Sequence, residues 1–447
     1  MEPPAGITRD TDDRRTASSG QRRRRRWLPL LLAGLLGVLV VGGLFAWGTI
    51  SGVRVDLTAG PAAFWLRGPA DTGAQREPTE VEIGIGAPLT GGSVTLGRGV
   101  RRGVELAIAQ ANERADVQAA GIRFVGVPGD DRGDAGAGVA IATELASHPN
   151  LLGVVGHLNS EVSIPASAIY AEKRIVMISP ASTDPLLTQQ GLPTVFRVCG
   201  TDTIQGPALA DFATTSLGYQ RAYVVDDSTP YGEALASEFA ERFDANGGKI
   251  VGRAKTSDQE SDFGALAARI AGYGPDVICY GGMYTAGSLL TKQVKDAGVR
   301  APLMGGDGLY DEKYIERAGA ARAEGDYCVT GDLPPDRLPN GVAFKAAFAK
   351  RFPVASIEAY DAYGYDAANV LIDAVVEAAK ADRDGLMSPD GRDVIVRNVS
   401  GTDTMGATGK LAFDFKGDAT TSAFTLHVVR SGSWIATSVA GDAGRQP

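Results

Sequence analysis

Cysteine and histidine are nearly absent from this chain of 447 residues, with three of each. Cys199, Cys279 and Cys328 are widely spaced and show no paired metal-ligand pattern. They read as small buried thiols, and any single disulfide would leave one over. His148, His157 and His427 share no ligand spacing, which argues against a zinc centre. No metal or other cofactor is expected. Aromatic residues are only 7% of the chain, against 58 glycines, a balance suited to tightly packed α/β layers. Positive charge is also scarce beyond the N-terminus. Eight arginines against four acids before residue 27 give +4, so the rest of the chain carries -13. An acidic body excludes a general nucleic-acid binder. Phosphate-binding fingerprints are missing too. VEIGIGAPLTGG follows a strand, but Pro88 and Leu89 break the G-x-G-x-x-G spacing. There is no G-x-S-x-G elbow, and no acid–base pair stands out.

One long apolar run is present. Five consecutive arginines, Arg22 to Arg26, precede Trp27 to Ile50, which has 24 residues and no charge. A helix of that length spans a hydrocarbon core of about 30 Å. Trp27 and Trp47 fall near its ends, where aromatic rings favour the interface. The reading is a disordered basic cytoplasmic segment over 1–26, a transmembrane signal anchor over 27–50, and a linker over 51–79. The arginine block keeps its side cytoplasmic, so the body faces outward at the cell membrane. A cleaved signal peptide, which would release the body, and a buried core helix are the alternatives.

From Glu80 onward, strand and helix alternate. VEIGIGAPLTG, IRFVGVPGD, LLGVV, IVMIS and a short strand over Thr194–Val198 are separated by helical segments. After Asp202 the pattern restarts with a helix over Ile204–Ser216, then RAYVVDD, KIVGRAKT, DVICYGG and APLMGGDGL with helices between. The spacing predicts two doubly wound parallel sheets. EGDYCVT adds a strand, and a long helix, EAYDAYGYDAANVLIDAVVEAAK, has an apolar-aromatic seam. TSAFTLHVVRSGSWIATSV reads as two strands turning at Ser431–Gly432.

The stretch Leu151–Asp202 organises the candidate site. LLGVV and IVMIS are each followed by small hydroxyl residues and a helix start. Ser160, Ser182 and Thr183 therefore lie at the carboxyl ends of strands, where open α/β sheets bind ligands. Hydroxyls and free backbone N–H groups there can receive a carboxylate, although helix capping explains the same residues. Asp307, between glycines in MGGDGL, can take an ammonium group or simply sit in a turn. Tyr231 in STPYGE can close over a ligand from the opposite domain or merely pack. Asp202 can meet an ammonium or cap the following helix.

The segments GHLNSEVSIPASAIYAEKRIVMISPASTDPLLTQQG, DDSTPYGE, DFGALAARI, DVICYGGMYTAG, LMGGDGL and GATGKLAFDFKGD together carry a resemblance. From about Glu80 to Val439 the chain resembles the substrate-binding proteins of branched-chain amino acid transporters, the leucine/isoleucine/valine-binding family. The resemblance implies a type I periplasmic-binding fold, with two α/β lobes joined by three crossovers and the ligand clamped between them. It implies lobe 1 from 80–201 and 331–425, and lobe 2 from 202–330 and 426–440. It also implies that Ser160 and Thr183 receive the α-carboxylate. The Ala181 carbonyl and Asp307 would hold the ammonium, with Ser182 in the same SPAST segment. Asp202 and Tyr231 would line the cleft. The family often has Glu where Asp307 stands. Leu96 and Met283, with Tyr284 beside it, fall where aromatics usually wall the side-chain pocket. The family's first-lobe disulfide includes the position of Asn159, so that bridge is absent.

The function implied is capture of an amino acid or amino-acid-like ligand for a membrane permease with ATPase subunits of an ABC-type importer, without catalysis. A membrane-tethered sensor domain working with a signalling partner uses the same fold. An amidase acting in the cleft is the enzymatic alternative.

Overall fold

A computed structural model describes residues 77–331, 339–420 and 424–440. The basic segment and apolar run expected over 1–50, and the linker up to residue 76, lie outside the described residues. Among the described residues, no helix is long and apolar enough to cross a membrane.

Two sheets form the body. The first contains β1 (Thr79–Ala87), β2 (Ile122–Asp130), β3 (Leu151–Val155), β4 (Val176–Ser179) and β5 (Val195–Arg197), in the order β2-β1-β3-β4-β5. All four pairings are parallel. β3 and β4 are buried along their whole length, as strands covered by helices on both faces must be. The second sheet takes β6 (Arg221–Asp226), β7 (Lys249–Lys255), β8 (Val277–Gly281), β9 (Leu303–Gly305) and β10 (Tyr327–Thr330). A small hairpin follows, β11 (Asp403–Met405) with β12 (Lys410–Ala412). β13 (Phe424–Arg430) and β14 (Ser433–Ala440) then complete the second sheet in the order β14-β13-β10-β9-β8-β6-β7. β13 runs antiparallel to β10, with Thr330 opposite Thr425. Phe424 and Thr425 thus belong to the second sheet rather than to the first lobe, because their strand pairs with β10. β1 begins at Thr79, just inside the expected linker, because Thr79 N donates to Gly121 O.

The chain passes between the sheets after β5, after β10 and before β13. Its second passage returns the helices Pro339–Arg351, Asp361–Asp382 and Pro389–Ser400 to the first sheet's side. Helices Val94–Glu113 and Asp361–Asp382 pack at backbone distance. A Cβ on Gly103 would lie 2.1 Å from Asp361 O, so only glycine permits the approach. Arg102 locks the pair through two bonds to the Asp361 carboxylate, at 3.0 and 2.6 Å. The helix expected over Ile204–Ser216 is α-helical over Asp202–Asp211 and widens to π-helix over Phe212–Ser216.

Candidate ligand-binding site

The site starts from a close approach of two strand ends. Gly156 follows β3 at φ 140°, and a Cβ there would lie 2.2 Å from Gly86 O at the end of β1. The next residue, His157, is fully buried. Its Nδ1 meets Asp131 Oδ2 at 2.6 Å and its Nε2 meets Tyr170 Oη at 3.1 Å, which fixes the loop. Asn159 then precedes the helix Ser160–Glu172 without capping it through its side chain. Ser160 is the first helical residue, and its Oγ accepts from Asp184 N at 3.3 Å. Ser160 is therefore not the cap. It stands at the positive end of a helix dipole, with early backbone N–H groups that have no partner inside the helix.

The loop after β4 is braced from beneath. Ser182 Oγ bonds Ser163 Oγ at 2.5 Å and donates to Leu158 O at 3.0 Å. Its hydroxyl is used inside the protein, which corrects the expectation of a ligand contact there. Arg197 is fully buried and donates to the carbonyls of Ser182 and Asp184, each at 2.8 Å. Its Nε meets Asp418 Oδ1 at 2.6 Å. This guanidinium holds the backbone between Ser182 and Asp184 in shape.

The opposing wall comes from the second sheet. Asp307 follows β9. Its Oδ1 accepts from Tyr231 Oη at 3.1 Å and Gln205 Nε2 at 3.3 Å, and its Oδ2 accepts from Tyr360 Oη at 2.8 Å. Burial pushes its carboxyl up, and these three donors pull it back down. Tyr231 Oη also accepts from Gly308 N at 3.0 Å. Asp202 does not cap its helix. The Asp202 carboxyl is buried against the Thr183 hydroxyl, and neither side chain reaches any further hydrogen-bond partner. Burial first, then repulsion from Asp307, raises the Asp202 carboxyl well above the ordinary range. Two buried carboxyls thus sit close together, an arrangement that a bound cation would relieve.

Ser160, Ala181, Tyr231, Met283 and Asp307 border one narrow cleft. Thr183 and Asp307 border a second, larger cavity, and Asp307 with Tyr360 forms the wall between the two. Leu96 and Tyr284 border neither. Leu96 is 1% exposed and belongs to the core beneath the first sheet. The Tyr284 hydroxyl donates to Gly92 O at 2.8 Å, joining the lobes. Both expected pocket-wall positions are corrected accordingly.

Leu158, Asn159, Glu161, Thr229, Gly308 and Tyr360 also border the cleft, and none of them carries an expectation of ligand contact from sequence. Tyr360 sits just before the helix Asp361–Asp382, so it faces the cleft instead of joining the helix seam. An aromatic at a helix start was the available signal. Glu161 is pushed up to about 7 by burial, reinforced by the charges of Asp227 and Asp258. Cys199, Cys279 and Cys328 are buried. Among the described residues, no group of three His, Cys, Asp or Glu side chains can hold a metal ion.

A profile of the periplasmic binding protein family matches residues 80–432. Leu/Ile/Val-binding protein homolog 1 of Brucella abortus is 32% identical over 354 residues, covering 79% of this chain and 91% of the relative. The leucine binding protein LivK of Thermotoga maritima superposes with a TM-score of 0.73 at 28% identity, covering 81% of this chain and 99% of its own. An ABC transporter substrate-binding protein of Desulfitobacterium hafniense in complex with Leu gives 0.65 at 27% identity, covering 80% and 100%. The chain belongs to the periplasmic binding protein family, and within it to the Leu/Ile/Val-binding protein homologues.

Proposed function

We propose that this protein captures an amino acid or a close analogue outside the cytoplasm and presents it to the membrane permease and ATPase subunits of an ABC importer. Its ligand would be a zwitterion. The α-carboxylate meets the N-terminus of the Ser160–Glu172 helix, with Ser160 as its hydroxyl partner. The ammonium meets Asp307 and the Ala181 carbonyl. Closing the lobes removes water from these contacts and strengthens each. The protein itself turns nothing over; it hands on the intact ligand. The apolar run at 27–50 would anchor it, with residues 51–76 as tether.

The observation that carries this reading is the pairing across one cleft. A helix N-terminus from the first sheet's side and Asp307 from the second border the same cleft. The names of the relatives, Leu/Ile/Val-binding and leucine-binding proteins, agree with an amino-acid ligand.

Calorimetry of the full chain against the twenty amino acids should find at least one micromolar or tighter ligand. Asp307→Ala should weaken it by more than about 1 kcal/mol, the worth of a charge-assisted hydrogen bond. Absence of binding by every free amino acid overturns the reading.

A further inference from the structure

His157 borders neither cavity, yet its ring and its carbonyl are both committed to the first-lobe wall of the cleft. β1 lies between β2 and β3 in the sheet. The His157 ring starts beyond the end of β3 and reaches Asp131, just beyond the end of β2, so it must cross the end of β1. Residue 86 of β1 is glycine, and a Cβ there would lie 2.5 Å from the ring. Asp131 and His157 are both fully buried. Asp131 Oδ2 meets Nδ1 at 2.6 Å, and its Oδ1 accepts from Gly133 N at 2.9 Å. An ionised carboxylate only accepts, so Nδ1 carries the proton.

The same residue grips the Ser160–Glu172 helix near both ends. Nε2 meets the hydroxyl of Tyr170, in the last turn, at 3.1 Å. The His157 carbonyl accepts from Ser163 Oγ, in the first turn, at 3.1 Å, and from Ser179 Oγ at the end of β4 at 2.9 Å. Asp130 extends the frame to the loop after β1, where its carboxylate accepts from Leu89 N at 2.9 Å and Thr90 Oγ1 at 2.6 Å. Four strand ends and one helix are thus tied through Asp130, Asp131 and His157. Loss of the imidazole N–H would leave the buried Asp131 carboxylate without its charged or polar partner, and such a loss is costly enough to move a loop. The attraction of a helix N-terminus for an anion falls off within one turn, so a small shift of this helix weakens it.

We infer that His157, anchored by Asp131, is a positioning residue for carboxylate recognition, aiming the N-terminus of the Ser160–Glu172 helix into the cleft. This rests on the amino-acid reading of the cleft and adds the buried frame that holds its carboxylate end. His157 touches no ligand. Its replacement should therefore cost an anionic ligand more than a neutral ligand of the same shape.

An amino acid and its α-amide form such a pair, and both carry an ammonium at about pH 6.5. Calorimetry of the full chain with the twenty L-amino acids, then with the α-amide of the tightest one, gives an acid-to-amide affinity ratio. The unsubstituted protein should favour the acid at least tenfold. Leucine and asparagine are similar in size, and both remove Nε2 from Tyr170, but only asparagine offers an N–H to Asp131. His157→Leu should lower the ratio at least tenfold, and His157→Asn should hold it within threefold. A loss of stability alone would weaken acid and amide alike and leave the ratio unchanged. An unchanged ratio in His157→Leu, or an equal fall in both variants, overturns the inference. If His157→Leu does not fold, His157→Asn decides by itself: a ratio within threefold of the parent supports the inference, and a tenfold fall overturns it. Equal binding of acid and amide by the unsubstituted protein, or no binding of any amino acid, overturns the underlying reading of the cleft instead.

Discussion

Removing one oxygen atom from Tyr284 tests whether closure of the two lobes is coupled to binding. The Tyr284 hydroxyl donates to Gly92 O at 2.8 Å, and Tyr284 is 1% exposed. Its helix follows β8 in the second sheet, and Gly92 follows β1 in the first. When the lobes part, hydroxyl and carbonyl both return to water. The bond therefore favours the closed form by a net of about 1 kcal/mol. Tyr284→Phe removes that preference and keeps the packed ring. A shift of this size is about fivefold in the ratio of closed to open molecules. A ligand that needs the closed form should bind about fivefold more weakly, since the hydroxyl borders neither cavity and makes no ligand contact. Calorimetry with the tightest amino-acid ligand reads this directly. Lys313 Nζ makes a parallel tie to Thr95 Oγ1 at 2.6 Å. Lys313→Met should act in the same direction, but the Tyr284 hydroxyl also hydrogen-bonds Thr95, so the two losses are coupled and should not simply multiply. If Tyr284→Phe leaves affinity within a factor of two, closure does not draw on this bond and the reasoning fails.

Arg197→Met should destabilise the protein by about 3–5 kcal/mol, because it leaves Asp418 and two loop carbonyls without their buried donor. A drop in the urea midpoint measures it; a change under about 1 kcal/mol would mean the guanidinium is replaceable. His427 gives a pH signature. Burial lowers its imidazole from 6.5 to about 4. Between those values the unfolded chain binds the proton and the folded chain does not, so stability falls as pH falls through this window. The loss relative to a His427→Gln variant should reach about 3 kcal/mol at pH 4 and vanish above about pH 7. Equal pH slopes in denaturant titrations of the two proteins would refute it.

The alternating apolar runs and polar strand ends made the two sheets legible. LLGVV and IVMIS have no polar face, so they had to be covered on both sides. Ser160, Tyr231 and Asp307 were also legible, since each lies where a strand gives way to a helix or turn. The failures have a common cause. Leu96, Ser182 and Tyr284 are near the right loops, but their side chains turn inward or to a neighbouring backbone, and sequence does not reveal that direction. Ser182 has a nearby hydroxyl and carbonyls that use its donor. Tyr360 was hidden inside an apparently continuous helical seam, where a one-residue difference in the helix start changes which way the ring points. Glu161 carried no signal in the sequence, because the burial that pushes its carboxyl up to about 7 exists only in the folded protein.

The late return of the chain to each sheet has a consequence for how the molecule is made. The helix Val94–Glu113 packs against Asp361–Asp382, and β10 pairs with β13 only after the entire second excursion to the first sheet. Neither half can bury its apolar surface when its first strands leave the ribosome. A nascent chain of this topology stays open until its last hundred residues arrive, and an open chain is the form that a secretion channel accepts. A truncation before the helix Asp361–Asp382 would therefore leave both lobes unfinished, and one between β12 and β13 would leave the second sheet without its last two strands.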